Sequence, residues 1–507
     1  MFYKEIQDFW YDLYGTEYAL YDVHMESSHI IHSIKEAANQ IGELFFKTAP
    51  LLRSLDDQTL LSLGFPKASF PYLRLKTMET ESVISRLDFA VADDQIKLLE
   101  LNADTPTFIK ELFHVNELVC RHFQVQNPNK FEEKKLALAL KHAIFEAYNE
   151  LDRTNYPNVV FSSHDTHEED KLTTLYLMKL AGVDATYVPL SQLRIVPAST
   201  VEEGQHIEAG VYDQYGQKID VLYRQTYPLE HLIEDEDPST HEKVGHMLLT
   251  LAQQKQVAII NPPSAFLLQS KAVQALIWAL HEQHHPFFTK EEHHIIETYF
   301  LPTYLEEDPF IERKQAFVKK PSFGREGDTV EIYNEDGIKI DEDQHKTYQE
   351  YTAVYQQFIS LPTATMKTQT QTVEAHIMYG CFLSHVAVGL GLLFIGVIVF
   401  ELTTKFNDRE LIKKGNVAVA LKLWGKGIGL AIVIFTVWSN SLNLVDATLW
   451  GIVGIITQVV TYWIIEFIMT PKTSLAKKVE EGNVAVGVTL FAASIAVSLI
   501  VAGSLTY

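Results

Sequence analysis

Cysteine is nearly absent: Cys120 and Cys381 are the only two in 507 residues. That excludes a disulfide framework and any paired-cysteine zinc or redox motif, and it suits a reducing, cytosolic setting. Two phosphate-binding fingerprints are also missing, since neither a Walker A sequence nor a G-x-G-x-x-G is present. Positive charge is scarce in the larger part of the chain. Residues 384–507 hold 9 Lys+Arg and 7 Asp+Glu, net +2, so residues 1–383 hold 33 against 58, net −25, in a chain of net −23. A part this acidic argues against non-specific nucleic-acid binding, and no nucleic-acid partner is expected. The opening stretch MFYKEIQDFWYDLYG has no apolar run, so no cleavable signal peptide is expected.

What is present falls into two kinds of sequence. To about residue 375, helical runs such as TTLYLMKLAG alternate with β-rich runs such as NVVFSS and IDVLYRQ, which predicts a mixed α/β region. Past His385 come four apolar runs: HVAVGLGLLFIGVIVF, GIGLAIVIFTVW, LWGIVGIITQVVTYWII and NVAVGVTLFAASIAVSLIVAG. With their flanks they are long enough to span a bilayer of about 30 Å, and four in so short a stretch favour spans over buried core helices. EGNVAVGVTLF repeats KGNVAVALKLW, each after a basic loop, so the expected domain is an all-α transmembrane bundle of four helices in two tandem pairs. The repeat shows duplication and, alone, says nothing of transport. Glu401, Lys422, Lys426 and Glu466 are ionisable residues expected toward the side of the two basic loops, with Lys426 about ten residues into its helix. Snorkelling or simple pairing accounts for them more readily than an ion or proton path. Self-association through these helices stays open.

The chemistry-bearing stretch is RLDFAVADDQIKLLELNADTP, Arg86 to Pro106. Alternation puts Arg86 and Asp88 on one face of a strand, and Glu100 and Asn102 on one face of the next, with Leu99 and Leu101 opposite. A three-residue loop at 93–95 would set Asp88 across from Glu100 and Arg86 across from Asn102. Facing carboxylates destabilise a hairpin unless a cation lies between them, and two carboxylates with an amide oxygen suit Mg²⁺. Arg86 beside such a metal could hold a phosphate or carboxylate oxygen. A solvated hairpin face with one ion pair fits the spacing equally well.

A second stretch, FVKKPSFGREGDTVEIYN, predicts a strand ending in Lys320 and a loop containing Gly324 and Gly327. A strand-end lysine can hold a nucleotide phosphate, and a glycine loop can offer it backbone N–H groups, although Gly-Arg-Glu-Gly is also an ordinary turn. In YTAVYQQFISLP, Gln356 and Gln357 stand where amides could read an adenine edge, or serve as plain strand residues.

Taken in order, R-x-D, E-x-N-A-D-T-P-T, DVLYRQTYPLE, NPPSAFLLQSKAVQALIW, KKPSFGREG and VYQQFISLP resemble the glutathionylspermidine synthase family of ATP-grasp ligases across residues 1–383. The resemblance implies an α/β (α+β) ATP-grasp-type domain with a pre-ATP-grasp region. It implies a reaction in which MgATP phosphorylates a peptide carboxylate and an amine displaces the phosphate to form an amide. Carried over, Asp88, Glu100 and Asn102 match the Mg²⁺ ligands, and Arg86 steadies the transferred phosphoryl. Lys271 and Lys320 match the ATP-phosphate lysines, with Gly324 in the covering loop and Gln356 or Gln357 at the adenine side. Thr105, Glu169 and Thr226, together with Arg86, fall where the family holds its substrate. The family's amidase domain and its closing segment, with a further arginine, have no match here. Amidase activity is therefore not expected, and a nucleotide-binding regulatory module on a membrane bundle is the alternative to a ligase.

Residues 384–507 resemble the YjfL-type bacterial inner-membrane family through the doubled G-N-x-A-V at Gly415–Val419 and Gly482–Val486. The basic loops around Lys405–Lys414 and Lys472–Lys478 should face the cytoplasm, which with four spans puts both termini outside. An ATP-dependent domain needs cytosolic ATP. That need takes precedence, and a cytoplasmic ligase domain on a multi-pass bacterial plasma-membrane anchor is the expectation.

Overall fold

Residues 86–102 form the hairpin that their alternation predicts, with Arg86 opposite Asn102 and Asp88 opposite Glu100. The device differs from the expectation. Strands Arg86–Ala92 and Gln95–Asn102 leave two residues between them, not three, and Ala92 pairs with Gln95. A bulge then pairs Phe89 with Leu98, and the extra residue, Leu99, restores the register that a three-residue loop would have given. Leu98 and Leu101 therefore enter the core, while Leu99 is only half-buried. Tyr379–Phe382 adds a third antiparallel strand along Arg86–Phe89.

The structure is a computed structural model, and it describes residues 2–13, 15–92, 95–202, 205–325, 327–368, 371–382, 408–413, 415–440, 453 and 475–504. The chain divides into two units, Met1–Ser384 and His385–Tyr507. The first is mixed α/β. Its parallel sheet runs Ala258–Ile260, Val221–Gln225, Val159–Ser163, Ala185–Tyr187, and the first three of these strands are wholly buried, as in a sheet covered on both faces. A five-stranded antiparallel sheet runs Thr303–Tyr304, Ala353–Gln357, Phe317–Pro321, Glu331–Tyr333, Lys339–Glu342. The helix Ser28–Ser54, capped by the Ser27 hydroxyl on Ile30 N–H, lays Ile34, Ile41, Phe45 and Leu52 into the same core as Leu87, Leu98 and Leu101.

Two buried amides tie the hairpin's exit to its neighbours. Asn261 Oδ1 accepts from Val83 and Ile84 N–H, and its Nδ2 donates to the carbonyls of Ile84, Ala103 and Asp104. Gln269 Oε1 accepts from the N–H groups of Ala103 and Asp104. The turn after Asn102 is thus held by side chains from more than 150 positions away, with its buried backbone groups paired.

In the second unit the doubled G-N has a local cause. The helix Asp408–Lys413 ends at Gly415, whose φ of +85° suits glycine; Gly415 N–H donates to Ile412 O and Asn416 N–H to Leu411 O. Asn416 then opens the helix Val417–Asn440, its Oδ1 accepting from Val419 N–H at 3.1 Å. The second copy does the same. Leu475–Glu480 ends at Gly482, also at +85°, and Asn483 caps Val484–Ser504 through Val486 N–H at 3.2 Å. The two long helices pack closely: a Cβ on Gly425 would come 2.6 Å from Phe491 Cα, and one on Gly487 2.8 Å from Ala418 Cα. Lys422 and Lys426 are buried in the Val417–Asn440 helix. Helices thus form at the second and fourth apolar runs. Among the described residues, however, no helix is long and apolar enough to cross a membrane. The first and third runs, with Glu401 and Glu466, lie outside the described residues.

Candidate active site

Asp88 and Glu100 face each other across the hairpin, and a single amide joins them. Asn102 Nδ2 donates to Asp88 Oδ2 at 3.1 Å and to Glu100 Oε1 at 3.2 Å. Arg86 grips Asp88 with both edges, Nε to Oδ1 at 2.7 Å and Nη2 to Oδ2 at 2.8 Å, and its Nη1 donates to Thr107 O. This bidentate pair is planar and charge-assisted, and its carboxylate is only 1% exposed. Glu100 is met from the other side by Lys271, whose Nζ lies 3.1 Å from Oε2 and also donates to Gly324 O at 2.8 Å.

Lys271 stands just ahead of the helix Ala272–Glu282, and Lys320 near the end of the strand Phe317–Pro321. Lys320 donates to Gln356 Oε1 at 2.7 Å, and Gln356 Nε2 is held by Gln274 Oε1 and Thr303 Oγ1. Gln356 is thus the amide on the lysine side. Gln357, next along the strand, falls on the opposite face, and its backbone N–H donates to Pro302 O. Between the lysine strand and the next, Gly324 and Gly327 form the turn; Gly327 sits at φ +77°.

Burial acts on Asp88, Glu100 and Lys320; it decides the direction for Asp88 and Lys320, and the partners reverse it for Glu100. Asp88 is pushed up by burial and by the Glu100 charge, with Arg86 only partly offsetting it. Burial would also raise Glu100, but Lys271, Lys320 and the Asn102 amide together hold it well below the usual carboxylate range. Lys320 falls to about 8 through burial, with Glu100 opposing the fall and Lys271 adding to it. Two adjacent carboxylates with affinities pushed apart, walled by cations, are a common feature of sites that do chemistry.

The substrate-side residues do not form one cluster. Thr105 and Thr226 meet around the buried pair Asp104–Arg224, whose atoms are 2.6 Å apart. Arg224 Nη1 donates to Thr226 Oγ1, and Arg325 Nη2 donates to Thr105 O and Oγ1. Glu169 lies in the first turn of the helix Glu168–Ala181, and its charge acts on Tyr18, whose hydroxyl donates to buried Glu111 at 2.7 Å. Glu111 in turn acts on Arg86. Sequence reasoning passed over Asp104, Thr107, Glu111, Arg224 and Arg325. Asp104, Thr107, Arg224 and Arg325 lie within quoted motifs; what singles them out is contact with chain more than 20 residues away, which spacing does not reveal.

The donor set fits a hard divalent cation in its two facing carboxylates, one buried and one half-buried, at hydrogen-bonding distance from a shared amide and next to lysines able to hold phosphate. Asn102 presents its N–H₂ group to both carboxylates, doing there what positive charge would do. Among the described residues no group of three or more His, Cys, Asp and Glu is placed to hold a metal ion. A cation here would depend on two carboxylates, with substrate phosphates and water completing its shell.

A family model described as "Glutathionylspermidine synthase preATP-grasp" matches residues 1–395. The chain belongs to that family. A second model, "Domain of Unknown Function (DUF350)", matches residues 371–505, so the two overlap across the junction. The C-terminal segment is a UPF0719 segment. The UPF0719 transmembrane protein YshE of Bacillus subtilis is 34% identical over 122 residues, 24% of this chain and 90% of that protein. The UPF0719 inner membrane protein YjfL of Escherichia coli K12 is 23% identical over 126 residues, 25% of this chain and 93% of that protein. A Haemophilus influenzae protein named as a candidate acid–amine ligase is 26% identical over 283 residues, 55% of this chain, and this chain spans 63% of its length. The solved glutathione synthetase-like effector GSS30 of Globodera pallida, in apo form, aligns with TM-score 0.43 at 12% identity over 70% of this chain and 79% of that one, too loose a likeness to carry an argument.

Proposed function

We propose that this glutathionylspermidine synthase relative is an ATP-dependent, ADP-forming carboxylate–amine ligase tethered to the bacterial plasma membrane by its UPF0719 segment, with the ligase unit in the cytoplasm. The observation that carries this reading is the convergence of Arg86, Asp88, Glu100, Asn102, Lys271 and Lys320, residues of three separate chain segments, around one pair of carboxylates. A regulatory module that only sensed nucleotide would not require both carboxylates and the bidentate arginine.

Asp88 and Glu100 would hold Mg²⁺, which neutralises phosphate charge and polarises the transferred group. Lys271 and Lys320 bind nucleotide phosphate oxygens. The Gly324–Gly327 turn covers them, and Gln356 fixes Lys320 on the adenine side. Arg86, held flat by Asp88, is aimed to steady the phosphoryl as it passes to a carboxylate oxygen. Thr105 and Thr226 line the wall that receives the peptide-like acyl substrate, and Glu169 offers negative charge for a polyamine-like amine. Amide formation then releases phosphate, and most of the barrier reduction comes from positioning and charge neutralisation.

The test is ADP release by the detergent-purified full chain with MgATP, small thiol peptides and polyamines, with products read by mass spectrometry and Asp88→Asn as control. ADP with an amide-mass product, both lost in the control, supports the ligase. Nucleotide binding without ADP moves the reading to the regulatory module. Neither binding nor turnover sinks both.

A further inference from the structure

The helix Glu132–Asn149 buries one face and leaves the other open. Leu136, Leu140, Ala143, Ile144 and Ala147 enter one core with Val159, Phe161 and Val221 of the parallel sheet. On the opposite face, Lys134, Leu138, Lys141 and Phe145 recur three and four positions apart and so form one stripe along the helix. Lys134, Leu138 and Lys141 are exposed, and Phe145 is half-buried. Phe131, 63% exposed, continues the stripe at its start, and Tyr156, 62% exposed, continues it past the end. The Tyr156 ring meets that of Phe145 edge-on, with centroids 6.4 Å apart. The ligase reading uses none of these residues.

Two features set this stripe apart from an ordinary solvated helix face. The first is its charge. Residues 1–383 carry a net −25, yet the charged side chains of the stripe are Lys134 and Lys141, with Lys130 at its start. None of the three makes an ion pair among the described residues. Lys134 stands in the first turn, where the helix dipole disfavours a cation. The acids of the same stretch are engaged elsewhere. Glu132 pairs with Lys35 and Lys135, Glu133 accepts from the Tyr176 hydroxyl at 2.6 Å, and Glu146 is buried. Past the helix, Glu150 and Asp152 lie 3.7 and 3.9 Å from Lys255. The second feature is Phe131. It holds the helix N-cap at φ +75°, a left-handed conformation strained for any residue but glycine, and makes no capping bond. Lys130 Nζ and Lys134 Nζ lie 5.2 and 5.9 Å from the centre of its ring. Glycine or asparagine would open this helix with less strain; what phenylalanine adds is an exposed ring between two ammonium groups.

We propose that the Phe131–Tyr156 stripe is a docking surface for an anionic phospholipid bilayer, the one to which the chain is tethered; the inference rests on the tether reading above. Exposed rings and a leucine set among unpaired lysines are what such a surface requires. The apolar side chains enter the boundary between headgroups and acyl chains, and the ammonium groups meet lipid phosphates. The tether supplies the encounter, because a covalent link to a membrane segment keeps the first unit at high effective concentration near the bilayer. Each lysine brought to an anionic surface strengthens docking about fivefold, so the three together contribute about 100-fold, and Phe131, Leu138 and Tyr156 add to it. An acidic protein surface would suit the lysines but gives no reason to expose the rings. Nucleic acid is disfavoured by the acidity of the rest of the unit.

The test is lysine acetylation by a neutral reagent on the full chain in nanodiscs of phosphatidylglycerol, in nanodiscs of phosphatidylcholine and in neutral detergent. Mass spectrometry reads the rate at each lysine, with Lys290 and Lys314, exposed on other elements, as controls. Lys134 and Lys141 should react at least about tenfold more slowly in phosphatidylglycerol than in the other two, while the controls keep their relative rates. The protection should disappear in about 1 M salt, where screening shortens the reach of charge to about 3 Å. Leu138→Glu, a change at an exposed position checked for folding by circular dichroism, should restore most of the lost reactivity. Equal rates at Lys134 and Lys141 in the two kinds of nanodisc overturn the docking surface and leave the tether standing. Unchanged protection in Leu138→Glu also overturns it. Protection that appears in detergent and grows with protein concentration overturns it in favour of a second copy of this chain. A chain that does not enter nanodiscs at all overturns the tether reading, and this inference with it.

Discussion

The two units of this chain each carry a motif that can be read without a structure, and the motifs do different work. In Met1–Ser384 the repeated theme is polar side chains under a hairpin: Arg86, Asp88, Glu100 and Asn102 are placed by strand register and sustained by one another's charge. In His385–Tyr507 the theme is the doubled Gly-Asn, which stops one helix and starts the next. Chemistry explains the first motif and backbone geometry the second. A short recurring sequence is therefore evidence of function only when its side chains face one another instead of their own backbone.

The sharpest way to break this contrast is to remove charge from the first unit. Asp88→Asn should lower ADP formation by about 10²–10³-fold while leaving the fold intact, because it keeps the shape and loses the anion that orients Arg86. The steady-state rate, with circular dichroism as control, checks this. Unchanged rate would mean that the hairpin face is ordinary surface. Asp104→Ala acts on stability: it strands Arg224, 3% exposed, without its partner, which should cost about 3–5 kcal/mol in urea unfolding. The double change Asp104→Leu with Arg224→Met should recover most of that loss. If it does not, the pair also holds the turn by more than charge.

Glu230 gives a pH-dependent test of the same unit. It is 2% exposed, its Oε2 meets no donor among the described residues, and burial raises it from 4.5 to about 7, with Arg325 only partly offsetting this. An acid whose folded value lies above its unfolded one binds protons more tightly when folded, so stability falls as pH rises from about 4.5 to about 7. Glu230→Gln imitates the protonated acid. It should match wild type at pH 5 and be more stable at pH 8 by up to about 3 kcal/mol, as read from denaturation midpoints. Equal stability at pH 8 would show that Arg325 or Lys271 satisfies the ionised carboxylate.

Much of the site was legible because strand alternation is local: two residues per repeat fix which side chains share a face, while setting Asp88 opposite Glu100 also depends on the register. The loop itself was misread, and the bulge at Leu99 compensated, since the apolar face of the strand had to reach the core and did so with Leu98. Lys320 stood out at a strand end and Lys271 came from the family pattern, and the charges of both act on Glu100. The clamps were illegible. Asn261, Gln269, Arg224 and Arg325 act across 120 to 220 positions, and an amide that caps a distant turn resembles any other amide in sequence. In the second unit the repeat was visible but its meaning was not, because a glycine's positive φ and an asparagine's cap appear only once the helix ends are drawn.

The smallest expected effect is also the cleanest test of the geometric half of the contrast. Asn416 and Asn483 are equivalent in sequence and each caps its helix, so either change to Ala should cost about 1 kcal/mol. Asn416 does more: its Nδ2 also donates to the carbonyls of Val479 at 3.1 Å and Glu480 at 2.9 Å, the open end of the helix Leu475–Glu480. Those carbonyls lose their donor in Asn416→Ala, which should therefore cost about 1 kcal/mol more than Asn483→Ala in detergent unfolding. Neither change should alter ADP release by the first unit. Equal losses would mean that water replaces the Nδ2 donor and that the two copies are energetically alike. A fall in ADP release would mean that the Gly-Asn turns serve the chemistry of the other unit after all, and the division of labour drawn between the two motifs would fail.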